Sequence, residues 1–254
     1  MIPFSANLGF LFTEYALLEA IQMAADAGFD AVECHWPYDT PVNNVIHALN
    51  IAGIPMLSLN TVAGEPGEFG LSALVGREIE ARAAIEKAIE YAARMGAQNI
   101  HVMAGISTGQ VANECFLENL NYACKTAVQS GITILIEPIN TRDVSGYFLQ
   151  TTEQAITLID KVDADNIKLM FDCYHVQIME GGVQDRLQAC LPYIGHIQIA
   201  SLPDRAEPNQ GDVDYLDIIH KLKMLGYDGA IGAEYNPNTT TKAGLGWLQE
   251  YKVY

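Results

Sequence analysis

The chain is short of positive charge. Fourteen lysines and arginines stand against 31 aspartates and glutamates, a formal net charge of −17 over 254 residues. A surface that acidic repels a phosphate backbone, which argues against nucleic acid as a partner. Anionic membrane surfaces are disfavoured in the same way, and an acidic substrate would need a local cation. Paired cysteines are missing too. Cys34, Cys115, Cys124, Cys173 and Cys190 are odd in number and form no CxxC. They read as reduced thiols of a cytoplasmic protein, not as a disulfide frame or a zinc knuckle. The apolar start MIPFSANLGFLF lacks the basic region and the cleavage site of a signal peptide. No apolar run is long enough to span a bilayer. Without secretion, the sequon at Asn238 carries no weight. No linker, charge block or low-complexity run interrupts the chain, so one domain over 1–254 is expected.

What is present is a repeating beat. Apolar strand-like runs occur at 4-FSANL, 31-AVECHW, 55-PMLSLNT, 99-NIHVMAG, 132-ITILIEP, 167-IKLMFDCY, 195-GHIQIAS and 229-GAIGAEYN. Amphipathic helical patterns lie between them, at 15–28, 78–96, 151–162 and 215–226. In the second, Ile79, Ala83, Ile85, Ala88, Ile89 and Ala92 are expected to form the apolar face. Thr152 is a candidate N-cap, and Gly28 and Gly226 are candidate residues just past helix ends. Repeated βα units require parallel strands, and eight of them match the size of a (β/α)8 TIM barrel. The alternative is a doubly wound sheet, which usually carries a glycine-rich phosphate turn after its first strand. Here that turn reads 7-NLGFLF-12.

In such a barrel the active-site residues come from the C-terminal ends of the strands. Period-two phasing turns Ile134, Ile136, Leu169, Phe171, Ile197, Ile199, Ile231 and Ala233 toward the helices. Glu137, Asp172, Gln198 and Glu234 then point inward. A single acid at a strand end is more often a cap or turn residue. Three carboxylates and an amide in phase on neighbouring strands are a different matter, because such carboxylates repel unless a cation or a shared proton lies between them. Oxygen donors of this kind suit a hard divalent ion such as Mg2+ or Mn2+; zinc tolerates them but usually recruits His or Cys.

His175, three residues past Asp172, is either a loop histidine or a substrate contact. His101 and His196 lie deeper and read as parts of an interior polar layer. His47 and His220 are expected to be exposed. The long loop 201-SLPDRAEPNQGDVDY-215 holds Arg205, suited to pairing a substrate carboxylate, and Glu207. Its plain alternative is a surface salt bridge. The glycine-rich loop 61–78 could serve as a lid.

These motifs carry a resemblance that covers essentially the whole chain. FSANL, GFDAVE, WPYD, LSALVGRE, LIEPIN, FDCYH with QIMEG, GHIQIA, PDRAEP with GDVDY, and AEYNPNTTTKAGL resemble the hydroxypyruvate isomerase family, among the xylose-isomerase-like barrels. Sister enzymes are 2-oxo-tetronate isomerases, which LSALVGRE and IHVMAG resemble; more distant ones are ketose 3-epimerases. The resemblance implies metal ligation by Glu137, Asp172, Gln198 and Glu234. It implies proton transfer by Glu137 and Glu234, with His175, Arg205 and Glu207 around a small hydroxy-oxo acid. The implied reaction interconverts hydroxypyruvate and tartronate semialdehyde through an enediolate stabilised by a divalent metal ion, Mg2+ or Mn2+, with no redox cofactor. Two rival classes are weaker. An abasic-site endonuclease would need more histidine ligands and a basic face, and a non-catalytic sugar-binding barrel has no reason to aim carboxylates inward. Barrels of this kind often pair, so a homo-oligomer is a further expectation.

Overall fold

Eight strands alternate with helices along the chain. In the computed structural model, which describes residues 2–253, they run β1 (Phe4–Asn7), α1 (Leu17–Asp26), β2 (Ala31–Cys34), α2 (Val42–Ala52), β3 (Met56–Asn60), α3 (Glu78–Met95) and β4 (Asn99–His101). There follow α4 (Gln110–Ala127), β5 (Thr133–Ile136), α5 (Thr152–Val162), β6 (Ile167–Asp172), α6 (Cys173–Met179), α7 (Val183–Cys190) and β7 (Ile194–Ile199). The chain finishes with α8 (Tyr215–Met224), β8 (Ile231–Ala233), α9 (Thr241–Gly244) and α10 (Gly246–Val253). The strand order is that of a closed barrel, β1 through β8, the fold class expected from the sequence. No helix among the described residues is long and apolar enough to cross a membrane.

The chain divides into two compact units, residues 1–57 with 196–254, and residues 58–195. In the first, β1 pairs in parallel with β2 and β8, and β7 with β8. Ser5 is level with Ala31 and Gly232, and Gly232 with Gln198, so these residues share one face of the sheet. Phe4 and Ala6 take the other face. There the Phe4 ring meets Trp247 of α10 edge-on at 5.7 Å, and Phe29, Tyr235 and Tyr251 complete an aromatic cluster. Buried aromatics dominate core energetics, and the Trp247 N–H is satisfied by the Tyr235 hydroxyl at 3.1 Å.

In the second unit β3, β4, β5 and β6 pair in parallel. His101 is level with Leu135, and Leu135 with Lys168. Glu137 and Asp172 therefore continue the face of Leu135, while Ile134, Ile136 and Leu169 take the opposite one. The buried face of α3 is Ala81, Ala84, Ile85, Ala88, Ile89 and Ala92. Ile79 and Ala83 were expected on it, yet both are exposed, Ile79 at 87%. Stepping back from Ile85 by four residues reaches Ala81, not Ile79, which lies about 200° around the helix from Ala81.

Gly28 and Gly226 do follow α1 and α8 with positive φ. The cap of α5 is Thr151, whose side chain accepts from Gln154 N–H at 3.2 Å, not Thr152, which is the first helical residue. The pattern expected at 15–28 begins as helix only at Leu17. The loop 61–78, which could serve as a lid, is tied by backbone hydrogen bonds. Gly70, Ser72 and Ala73 donate backbone hydrogen bonds to Ala63, Met103 and Ala104. At Gly70 (φ +118°) a Cβ would sit 2.4 Å from the Met103 carbonyl oxygen, so only glycine permits that approach.

Candidate active site

In the unit 58–195 three groups meet at the C-terminal ends of β5 and β6. Glu137, Asp172 and His175 are buried, and each offers a ligand atom within 4.8 Å of the others. Glu137 follows the last residue of β5, where Pro138 cannot continue the ladder and the chain turns away. Asp172 ends β6 and caps α6 by accepting from Tyr174 N–H at 2.8 Å, which fixes its carboxylate. One turn on, His175 places Nε2 at 3.6 Å from Asp172 Oδ2 and 3.8 Å from Glu137 Oε1. His101 approaches the same glutamate from β4, Nδ1 to Oε2 at 3.5 Å.

The His175 ring has a defined polarity. The backbone N–H of Asn140 donates to its Nδ1 at 3.3 Å, and the Asn140 side-chain nitrogen lies 2.6 Å from the same atom. A backbone amide can only donate, so Nδ1 is an acceptor and the neutral ring carries its proton on Nε2. The nitrogen that faces the two carboxylates is therefore a donor, not a lone pair offered to a metal.

In the other unit a second cluster gathers around Glu234, which follows β8. Its Oε2 accepts from Asn7 Nδ2 and Gln198 Nε2, each at 2.6 Å, and Arg205 Nη2 lies 2.6 Å from Oε1. Burial pushes the Glu234 carboxyl above its ordinary range. The Arg205 charge and the Asn7 hydrogen bond oppose that push, and Glu33 adds to it. Arg205 stands at φ +52°, an uncommon conformation for its residue type, held by Arg205 N–H to Ser201 O and Asn236 N–H to Arg205 O. Its guanidinium lies over the Phe10 ring, 4.5 Å from the centroid, a cation–π contact.

Glu207, expected near a substrate, is 1% exposed and has both oxygens engaged by Asn238. Oε1 accepts from the backbone N–H at 3.1 Å and Oε2 from the side chain at 2.7 Å. A Cβ on Gly244 would reach 2.3 Å from Oε1. Glu207 thus clamps the segment that follows β8 to the loop that carries Arg205.

Residues 21–251 match the family described as xylose isomerase-like TIM barrel. The chain belongs to that family. A 2-oxo-tetronate isomerase of Cupriavidus necator is 43% identical over 257 residues, covering 99% of each chain. The hydroxypyruvate isomerase of Escherichia coli is 39% identical over 259 residues, covering 99% of this chain and all of the other. Among solved structures, a family 2 AP endonuclease from Brucella melitensis superposes with a TM-score of 0.96 at 37% identity, covering 99% of both chains. The family is the one that the sequence motifs resemble.

Within this xylose isomerase-like barrel, sequence reasoning passed over Ser5, Asn7 and Glu33. All three are buried on β1 and β2: Ser5 donates to Glu33, Asn7 donates to Glu234 just after β8, and Glu33 accepts from Gln198 of β7. The strand-end phasing applied to β5–β8 finds Asn7 and Glu33 when it is applied to FSAN and AVEC.

Proposed function

We propose that the protein is an isomerase interconverting hydroxypyruvate and tartronate semialdehyde from a single barrel domain, with a divalent cation as cofactor. What carries the reading is full-length likeness, at 39% and 43% identity, to two enzymes named as isomerases of small oxo acids. The donor chemistry supports it. Gln198 is 1% exposed, and its Oε1 is a buried acceptor with no hydrogen-bond partner. An oxygen so stripped of water costs about 1–3 kcal/mol unless something binds it. Glu137 and Asp172 supply buried carboxylates of the kind that Mg2+ or Mn2+ prefers.

In this reading Glu137, Asp172, Gln198 and Glu234 hold the ion. When bound, it supplies Lewis acidity to the adjacent carbonyl and hydroxyl oxygens of the substrate. Glu137 and Glu234 move the proton: one takes it from the hydroxyl-bearing carbon, the same or the other carboxylate delivers it to the former carbonyl carbon, and the hydroxyl proton passes to the former carbonyl oxygen. His175 offers its Nε2–H to a substrate oxygen. Arg205 pairs the substrate carboxylate, and Glu207 holds the neighbouring loop in place for it. Five free, buried cysteines accord with a cytoplasmic setting.

A second reading, isomerisation of 2-oxo-tetronates, is favoured by the 43% identity to the Cupriavidus necator enzyme. The net charge of −17 speaks against the endonuclease name of the Brucella melitensis structure. A panel of hydroxypyruvate, 2-oxo-tetronates, free ketoses and an abasic-site duplex, each with Mg2+, Mn2+ or chelator, tests all of these. Hydroxypyruvate is expected to turn over fastest, with metal only. Faster conversion of a 2-oxo-tetronate would transfer the assignment to it, and turnover of neither would sink both.

A further inference from the structure

The isomerase reading leaves one buried carboxylate in the first unit without a role. Glu33, the third residue of β2, is 1% exposed. Ser5 Oγ donates to its Oε1 at 2.5 Å, and His196 Nε2 lies 3.0 Å from the same oxygen. Its Oε2 accepts from Gln198 Nε2 at 3.0 Å. The same amide nitrogen donates to Glu234 Oε2 at 2.6 Å. A primary amide has two N–H groups, and both are now taken by carboxylate oxygens. Turning the amide over would set its oxygen against those two oxygens at the same short distances. The orientation is therefore imposed, and Oε1 is the atom left without a hydrogen bond.

Space has been reserved for this arrangement on β8. A methyl group at Gly232 would lie 2.4 Å from Glu33 Oε1, 2.9 Å from His196 Nε2 and 3.0 Å from Gln198 Cγ. No left-handed φ demands glycine there; the polar network does.

We infer that Glu33 is a positioning residue: it holds the Gln198 amide so that Oε1 is presented to a divalent cation, without touching the ion itself. This rests on the reading of Gln198 as a metal ligand. Residues that orient ligands in this way typically change metal affinity by about 10–100-fold when they are replaced.

The test is Mn2+ binding to the metal-free full chain, by calorimetry and without substrate, so that turnover does not enter. Glu33→Met, of similar size but with no acceptor, should bind Mn2+ about 10–100-fold more weakly than the wild type. Glu33→Gln keeps an oxygen for the Gln198 N–H while losing the charge, and should stay within a few-fold of the wild type. In a Gln198→Met background, Glu33→Met should weaken binding no further, because the two residues act through one ligand. Gly232→Ala leaves both side chains in place but crowds them, and should weaken binding in a folded protein. It also serves if Glu33→Met does not fold.

Wild-type affinity in Glu33→Met or Gly232→Ala would overturn the inference. So would equal losses in Glu33→Met and Glu33→Gln, or multiplying losses in the double variant, while the metal centre itself would stand. A wild-type chain that binds no Mn2+ would instead remove the metal reading, and this inference with it.

Discussion

Around Glu234 and Glu33, contacts of 2.5–3.0 Å join Ser5, Asn7, His196, Gln198 and Arg205 to two carboxylates. Around Glu137 and Asp172, the histidines His101 and His175 stand off at 3.5–3.8 Å. The first cluster supplies neutralising partners from its own side chains. The second sets two buried carboxylates within ligand distance of one imidazole. The first fixes its groups through several direct side-chain contacts, whereas the second gathers its acids around a histidine whose tautomer the backbone sets. The difference teaches that buried acids of one barrel can be given different tasks by their neighbours, since environment more than residue type sets carboxylate behaviour.

The comparison can be broken most sharply by neutralising one acid from each cluster. Glu137→Gln and Glu234→Gln should each lower isomerase turnover by about 10²–10⁴-fold with the circular dichroism spectrum unchanged, as expected for proton-transfer groups. Near-normal turnover in either variant would take that residue out of the chemistry.

Next in size is the effect of the cation on stability. Free Mn2+ at about 100 times its Kd should stabilise the protein by about 2.7 kcal/mol, read as a rise in melting temperature that chelator reverses. Asp172→Asn keeps an oxygen to cap α6 but gives up the charge, so it should erase this rise and leave the helix intact. An undiminished rise in that variant would place the ion elsewhere.

The smallest effect concerns pH, measured in chelator. Burial alone would raise the Glu33 carboxyl. The charge of His196 and the hydrogen bonds from His196, Ser5 and Gln198 outweigh burial and hold it below its ordinary value. Its contribution is therefore present above the unfolded-state value and is lost as pH falls through the lowered one. Glu234 has the opposite sign. Its raised value costs stability as pH climbs past the ordinary carboxylate range. The melting-temperature gap between wild type and Glu33→Gln should close on acidification, whereas Glu234→Gln should gain on the wild type as pH rises. Parallel slopes for the two variants would contradict the assignment of opposite environments.

Much of this was legible in the sequence. Alternating strand and helix patterns gave the barrel, and period-two phasing placed Glu137, Asp172, Gln198 and Glu234 on inward faces. Local spacing fails where a residue's partner is distant. Glu33 and Gln198 are 165 positions apart, and nothing in AVEC announces the amide that it meets. Glu207 sits in a loop rich in charge, and only the fold shows Asn238, 31 residues on, taking both of its oxygens. His101 and His196 were read as interior polar fill, and what spacing could not supply was that each faces a carboxylate. Ile79 went astray for a local reason, because its apolarity suggested a face that helix geometry denies it.

The hydrogen bond from the Asn140 main chain to His175 has a consequence for mutability. A tautomer held by a side chain can be changed by replacing that side chain. Here the donor is the peptide N–H itself, which every residue except proline carries. The address of the imidazole proton is thus written into the course of the backbone between β5 and α5. Substitution at position 140 by any residue but proline can loosen the ring, yet it leaves in place the donor that keeps the proton on the other nitrogen.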